Sequence, residues 1–346
     1  MNVEKSNETL WRQYAATFVS EAQQHRLSEE EIDACLQYAK PLMLSGLPVI
    51  YDVEHLSELV GYSIFYVMGA ITRTANYYRH YSIPKRSGGE RKIAEPLPSL
   101  KEIQHWILSN ILNKISVHPA AKAFCAGKSI KENARFHKSQ KTVLTIDIKD
   151  FFPSIGAGRV FNVYRSLGYS SQVASALTDL SCLERQLPQG APSSPALSNI
   201  VCLTLDRRLF GFARKNNLRY TRYADDMTFS GNEIGSDEID FVYKVISKSG
   251  FEPNLQKTRV LRLNQRQIVT GVVVNEKLQA PRELRRKLRQ QAYYIERFGF
   301  EEHAAYQEID NARYREHLKG QAGFVKSLNK MDRDANALLQ ILKKES

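Results

Sequence analysis

The 346-residue chain is predicted to be an α+β protein. Three observations lead there: helical spacing over residues 1 to about 75, a strand-rich and turn-rich middle, and a basic helical region after Pro281. In the first stretch, Ser28 precedes Glu29-Glu30-Glu31 as an N-cap precedes an acidic first turn, and Leu56, Leu59 and Val60 recur at helical spacing. The next segment, YSIPKRSGGERKIAEPLPSL, sets short apolar pieces around Gly88-Gly89 with Lys85, Arg86, Arg91 and Lys92 nearby, and reads as a basic β-hairpin. A helix is expected from Leu100 through Ile115, with Ile103, Ile107, Leu108, Ile111 and Leu112 as its buried stripe.

KTVLTIDIKDFFPSI then reads as a central strand running into acids. In LPQGAPSSPALSN, Ser194 is the expected cap and Pro195 the first helical residue. RYTRYADDMTFSG looks like a strand pair interrupted by Asp225-Asp226, and SDEIDFVYKVISKSG like a helix stopping at Gly250. KTRVLRL and QIVTGVVVN are two expected short strands, followed by the helical PRELRRKLRQQAYYIERFG.

Composition narrows the partners. Forty-nine Lys+Arg against 37 Asp+Glu give a formal charge of +12 and a pI near 9.4, which favours a polyanion such as nucleic acid. Cys35, Cys125, Cys182 and Cys202 show no metal-ligand spacing and no disulfide framework, which fits a reduced cytoplasmic setting. The polar N-terminus and the lack of a spanning apolar run predict a protein without a membrane partner.

Adjacent carboxylates repel, so Asp225 and Asp226 call for a cation. If the strand carrying Asp147 is their neighbour, three hard oxygen donors with no His or Cys select Mg²⁺, with Mn²⁺ as a substitute. Two such ions roughly 3.5–4 Å apart clamp the attacking and leaving oxygens of an in-line phosphoryl transfer.

The ordered set IPKRSGGERKIAEP, TIDIKDFFPSI, LPQGAPSSPALSN, YADD, PNLQKTRV and IVTG resembles the fingers and palm of a reverse transcriptase over roughly residues 80 to 275. NARFH at Asn133 to His137 and VTG at Val269 to Gly271 narrow the resemblance to the bacterial retron group. It implies a right-hand polymerase fold: an N-terminal helical region over 1–75, fingers and an antiparallel palm sheet packed on helices over 76–275, and an RNA-binding helical thumb over 276–346.

The same resemblance implies that Asp147, Asp225 and Asp226 are the catalytic metal ligands, with the Ile148 carbonyl an additional ligand beside the nucleotide. Lys85 and Arg91 would neutralise the incoming dNTP, Phe152 would exclude a ribose 2′-OH, Gln189 and Gly190 would lie against nucleotide and template, and Lys257 would protonate departing pyrophosphate. One of Phe151 and Phe152 is expected in the core. Asn133 and His137 either face RNA or fasten the palm to the N-terminal region. Val269, Thr270 and Gly271 either meet RNA or form a packed strand with a bulge. Arg285, Arg286 and Arg289 would follow phosphates along a helix that also carries Lys287, while Tyr293 and Tyr294 are expected to pack in the bundle.

The implied activity is that of a retron enzyme. It would copy a structured non-coding RNA (msr-msd) from the 2′-OH of an internal guanosine, leave branched RNA-DNA (msDNA), and work beside an effector or toxin in antiphage defence. The alternatives are a diversity-generating or abortive-infection reverse transcriptase, and an RNA-binding scaffold of a defence complex.

Overall fold

The computed structural model of the chain describes residues 2–84, 88–308 and 310–344, with side chains from Asn7 onward. The chain divides into two compact units. The first comprises residues 1–119, 149–206 and 249–251, and the second 120–148, 207–248 and 252–346.

The first unit is mostly helical. Ser28 caps the helix Glu29–Leu44 through a complete capping box: its hydroxyl accepts from the Glu31 amide while the Glu31 carboxylate accepts from the Ser28 amide. Helices Val53–Val60 and Ile64–Thr72 follow, then the hairpin β1 (Tyr78–Pro84) and β2 (Glu90–Pro96). The helix expected to reach Ile115 spans Pro98–Asn110 and passes into a short 3₁₀ turn at Leu112–Lys114, which keeps Ile111 and Leu112 buried. Helices Ala157–Ser166, Ser171–Ser181 and Ser194–Val201 complete this unit.

The second unit is built on a four-stranded antiparallel sheet. In chain order its strands are β3 (Thr142–Ile148), β4 (Arg219–Tyr223), β5 (Asp226–Gly231) and β6 (Pro253–Arg262), and in space they run β4-β5-β3-β6. The two central strands, β3 and β5, are buried along most of their length, as their near-continuous apolar and small residues require. The helix Ser236–Lys248 leads from β5 toward β6 and ends where Gly250 turns left-handed at φ +76°.

QIVTGVVVN is a small hairpin and not one bulged strand. β7 (Ile268–Val269) and β8 (Val272–Val273) pair across Thr270-Gly271, both at positive φ, 46° and 80°. Two positive φ values in a two-residue loop are the requirement of a type I′ turn, which glycine meets easily and threonine does not.

The C-terminal helices Arg282–Phe298, Phe300–Tyr306, Asn311–Leu328 and Arg333–Lys344 share a core with this hairpin and with Val143 of β3; Leu288, Ile295, Leu318 and Leu338 are fully buried in it. Among the described residues no helix is long and apolar enough to cross a membrane.

Candidate active site

Strand pairing brings the three predicted aspartates to one end of the sheet. Asp147 on β3 lies directly opposite Asp226 on β5, and Tyr223 of β4 is opposite Asp226 on the other side. That register leaves Ala224-Asp225 as a two-residue loop, and the Ile148 amide donates to the Asp225 carbonyl at 3.0 Å, tying the end of β3 to it. Ala224 carries φ +57°, a left-handed conformation that costs an L-residue roughly 1–2 kcal/mol.

Buried Arg222 compensates from beneath: its guanidinium donates to the Ala224 carbonyl at 3.0 Å. The backbone of Arg222 is held on the outer edge of β4 by Ala120 and Lys122, each at 2.8 Å. Nothing in local composition announces a buried arginine there.

The electrostatics follow from this packing. The Lys257 ammonium contacts both oxygens of Asp147, at 3.0 and 3.2 Å, and Asn254 Nδ2 donates to Asp147 Oδ1 at 3.3 Å. The Asp226 carboxyl is only partly open to water. Desolvation, then the neighbouring charges of Asp225 and Asp147, push it up to about 7, with Lys257 opposing. Among the described residues no three acid, His or Cys side chains are drawn into a tight metal cage. The donor set nevertheless fits a hard divalent cation, because all three acids offer only oxygen and the crowding of their charges raises Asp226, a cost that a cation would relieve.

The remaining expected nucleotide contacts lie in the first unit, apart from Ile148 and Lys257. Lys85 lies outside the described residues. Arg91 is exposed on β2, opposite Ile83. Phe151 is the buried member of its pair, its ring centroid 6.0 Å from that of Phe251, while Phe152 is half-buried. Both sit in a turn after β3 and not on the strand itself.

The Gln189 carbonyl accepts from the Ala94 amide at 3.0 Å, docking the LPQG loop on β2. Gly190 has φ +136°, and a Cβ there would stand 2.6 Å from the Ala94 carbonyl oxygen. Only glycine fits. Ser194 does not cap the following helix: Ser193 holds that position, and the Ser194 hydroxyl donates to Pro188 O at 2.8 Å, fastening the same loop.

The RNA-facing expectations need correction. His137 is fully buried, with Nδ1 2.7 Å from Ser230 Oγ and Nε2 2.7 Å from Thr221 Oγ1. Burial, then the charges of Arg219 and Lys122, depress it to about 3, so the ring is neutral. Asn133 is buried too, and its Nδ2 donates to Thr270 Oγ1 at 3.4 Å. The NARFH and VTG elements therefore bond to each other. His137 and Asn133 join the short helix Ile130–Phe136 to β4, β5 and the β7-β8 turn; they fasten, but within the second unit. Val269 is likewise fully buried, leaving Thr270 partly exposed and Gly271 exposed at the turn.

On the helix Arg282–Phe298 the cationic stripe is partly neutralised. Asp334 receives Arg289 through two bonds of 2.8 and 3.1 Å, and Arg285 lies half-buried 4.0 Å from buried Asp332. Arg285 packs against the bundle, whereas Arg286, Lys287 and the ion-paired Arg289 are exposed. Tyr293 and Tyr294, expected to pack inward, are 52% and 36% exposed.

Known proteins resemble the chain throughout this region. The family described as reverse transcriptase (RNA-dependent DNA polymerase) matches residues 83–292. The Retron Mx65 reverse transcriptase of Myxococcus xanthus is 38% identical over 308 residues, covering 82% of this chain and 70% of that protein. The Retron Ec86 reverse transcriptase of Escherichia coli is 38% identical over 256 residues, covering 72% and 80%. Among solved structures, telomerase from Candida albicans bound to a fragment of telomeric RNA aligns with a TM-score of 0.43 at 13% identity, covering 78% of this chain and 63% of that one.

Proposed function

Because the chain belongs to the retron reverse transcriptases, a family of RNA-directed DNA polymerases, we propose that it copies a structured non-coding RNA into branched RNA-DNA, with Asp147, Asp225 and Asp226 as its catalytic carboxylates. The observation that carries this reading is the register placing Asp147 opposite Asp226 with Asp225 in the adjoining loop. Within the proposal, residues 76–275 act as fingers and palm, 276–346 as thumb, and 1–75 as a helical extension.

The three aspartates would hold two Mg²⁺ ions, which when bound supply charge to the attacking and leaving oxygens of nucleotidyl transfer. Lys257 keeps the Asp147 carboxylate in place and holds an ammonium proton at the cluster, where it would serve the departing pyrophosphate. Arg91 and Lys85 would neutralise the triphosphate, and Phe152 would exclude the ribose 2′-OH. Gly190 lets the LPQG backbone approach β2 closely, and so fixes Gln189 for the nucleotide and template. The carbonyl of Ile148 completes the nucleotide end of the site. In this reading the primer is the 2′-OH of an internal guanosine of the msr-msd RNA, and the product works with an effector protein in antiphage defence.

The test is to isolate nucleic acid from cells carrying the native locus and treat it with a debranching enzyme. Separation of one RNA from one short DNA is the expected outcome, and a product that is linear before treatment contradicts the branched-priming assignment.

A further inference from the structure

Burial of Asn133 and His137 leaves the outer side of the same helix to account for. There, Lys122, Glu132, Arg135, Phe136 and Arg219 line a groove of about 410 Å³ within the second unit. With Lys128 the groove carries four cations against one acid: Lys122 and Lys128 share Glu132 Oε1 at 3.2 and 3.3 Å, whereas Arg135 is exposed with no acidic partner among the described residues. Arg219 donates to the Phe136 carbonyl at 2.7 Å, which fixes its guanidinium beside the ring.

Phe136 is 43% exposed and stands among these charges. Lys122 Nζ and Arg219 Cζ stand 5.9 and 5.8 Å from its centroid. A guanidinium lying flat on a ring comes closer, as Arg159 does on Phe251 at 4.3 Å. Both cations stand over the ring at the outer limit of cation–π contact, and the residue still keeps 43% of its surface open.

We propose that this groove is a second RNA site, in which one unpaired base stacks on Phe136 while Arg135 and Arg219 take the flanking phosphates. A partly open aromatic ring flanked by cations suits a splayed nucleotide, whose base supplies the π-face and whose backbone supplies the charge. An acidic peptide would satisfy the cations but leave the ring uncovered, and a duplex would offer it no exposed base. The inference rests on RNA being the template of this chain, as family membership gives.

The test uses the full chain and a short fluorescein-labelled single-stranded RNA containing 4-thiouridine. Arg135→Glu should weaken binding about tenfold or more and flatten its salt dependence, and Arg135→Lys should restore most of both. Phe136→Leu should weaken binding roughly fivefold with the salt slope unchanged, because it removes stacking and no charge. Thermal midpoints close to that of the wild type, expected at exposed positions, separate these effects from misfolding. Photo-crosslinks should map to the peptide carrying Phe136.

Wild-type affinity for Phe136→Leu, crosslinks confined to other segments, or failure of the native chain to bind the probe would overturn the proposal. Tight binding of a polyglutamate peptide with the same sensitivity to Phe136→Leu would reassign the groove to an acidic protein segment. Because binding is read without DNA synthesis, an inactive polymerase that still binds RNA through Phe136 would sink the catalytic reading and uphold this one.

Discussion

Two hairpins in this chain differ in charge and in burial. β4-β5 ends in Asp225 and Asp226, has five of its strand residues on β5 buried in succession, and leans on a buried arginine and a buried histidine. β1-β2 carries Arg91 and Lys92 on residues largely open to water and turns through Gly88-Gly89. Burial decides what a charge does: in the first hairpin it raises a carboxyl to about 7, while in the second the solvent screens the cations. In the proposed function the partly buried acids would meet a metal and the solvated cations a mobile anion.

Perturbing the buried hairpin should therefore have the larger consequences. Asp147→Asn, which removes one carboxylate of the cluster, should lower RNA-templated dNTP incorporation by about 10³-fold or more while circular dichroism stays unchanged. Retained incorporation would break the link between the register and the chemistry.

Gly190→Ala tests the docking of the LPQG loop on the exposed hairpin, made by the Ala94–Gln189 backbone bond. The Ala94 carbonyl cannot yield as a flexible side-chain tip can, so a loss of about 2 kcal/mol in urea denaturation is expected. An unchanged midpoint would mean that the loop is free to lift away from β2.

His137 probes how tightly β4-β5 is fastened. Its folded pKa of about 3 lies below the 6.5 of an exposed imidazole, so as the pH falls through that window the unfolded chain takes up a proton that the folded chain refuses. The stability it contributes is complete above pH 6.5 and is lost toward pH 3, at about 1.4 kcal/mol for each unit. The wild-type minus His137→Gln difference should show that slope, and a flat difference would mean the imidazole is solvated. Smallest of all, Arg91→Ala should move thermal stability by no more than about 0.5 kcal/mol, as expected of a charge in water. A larger loss would erase the contrast between the hairpins.

Features governed by neighbouring residues were legible in the sequence. The Ser28 capping box, the Gly250 helix stop and the YADD hairpin each follow from a few adjacent side chains. Legibility failed where partners are distant in the chain. The pairing of Arg289 with Asp334, 45 positions away, shows in no local pattern. NARFH sits on a helix of seven residues, too short for apolar periodicity to distinguish the buried Asn133 and His137 from the exposed Arg135 and Phe136. VTG concealed a turn because threonine at positive φ is sterically disfavoured, and only the tertiary bond from Asn133 accounts for its side chain. The aspartates fared better, since their spacing and surrounding apolar runs place them at strand ends.

The most direct measurement is magnesium-dependent incorporation of dNTPs on a primed RNA template by the Asp225→Asn/Asp226→Asn variant, with RNA binding measured in parallel. Incorporation should fall to background while RNA binding persists. Incorporation at the wild-type rate would contradict the assignment of the carboxylate cluster as the catalytic centre.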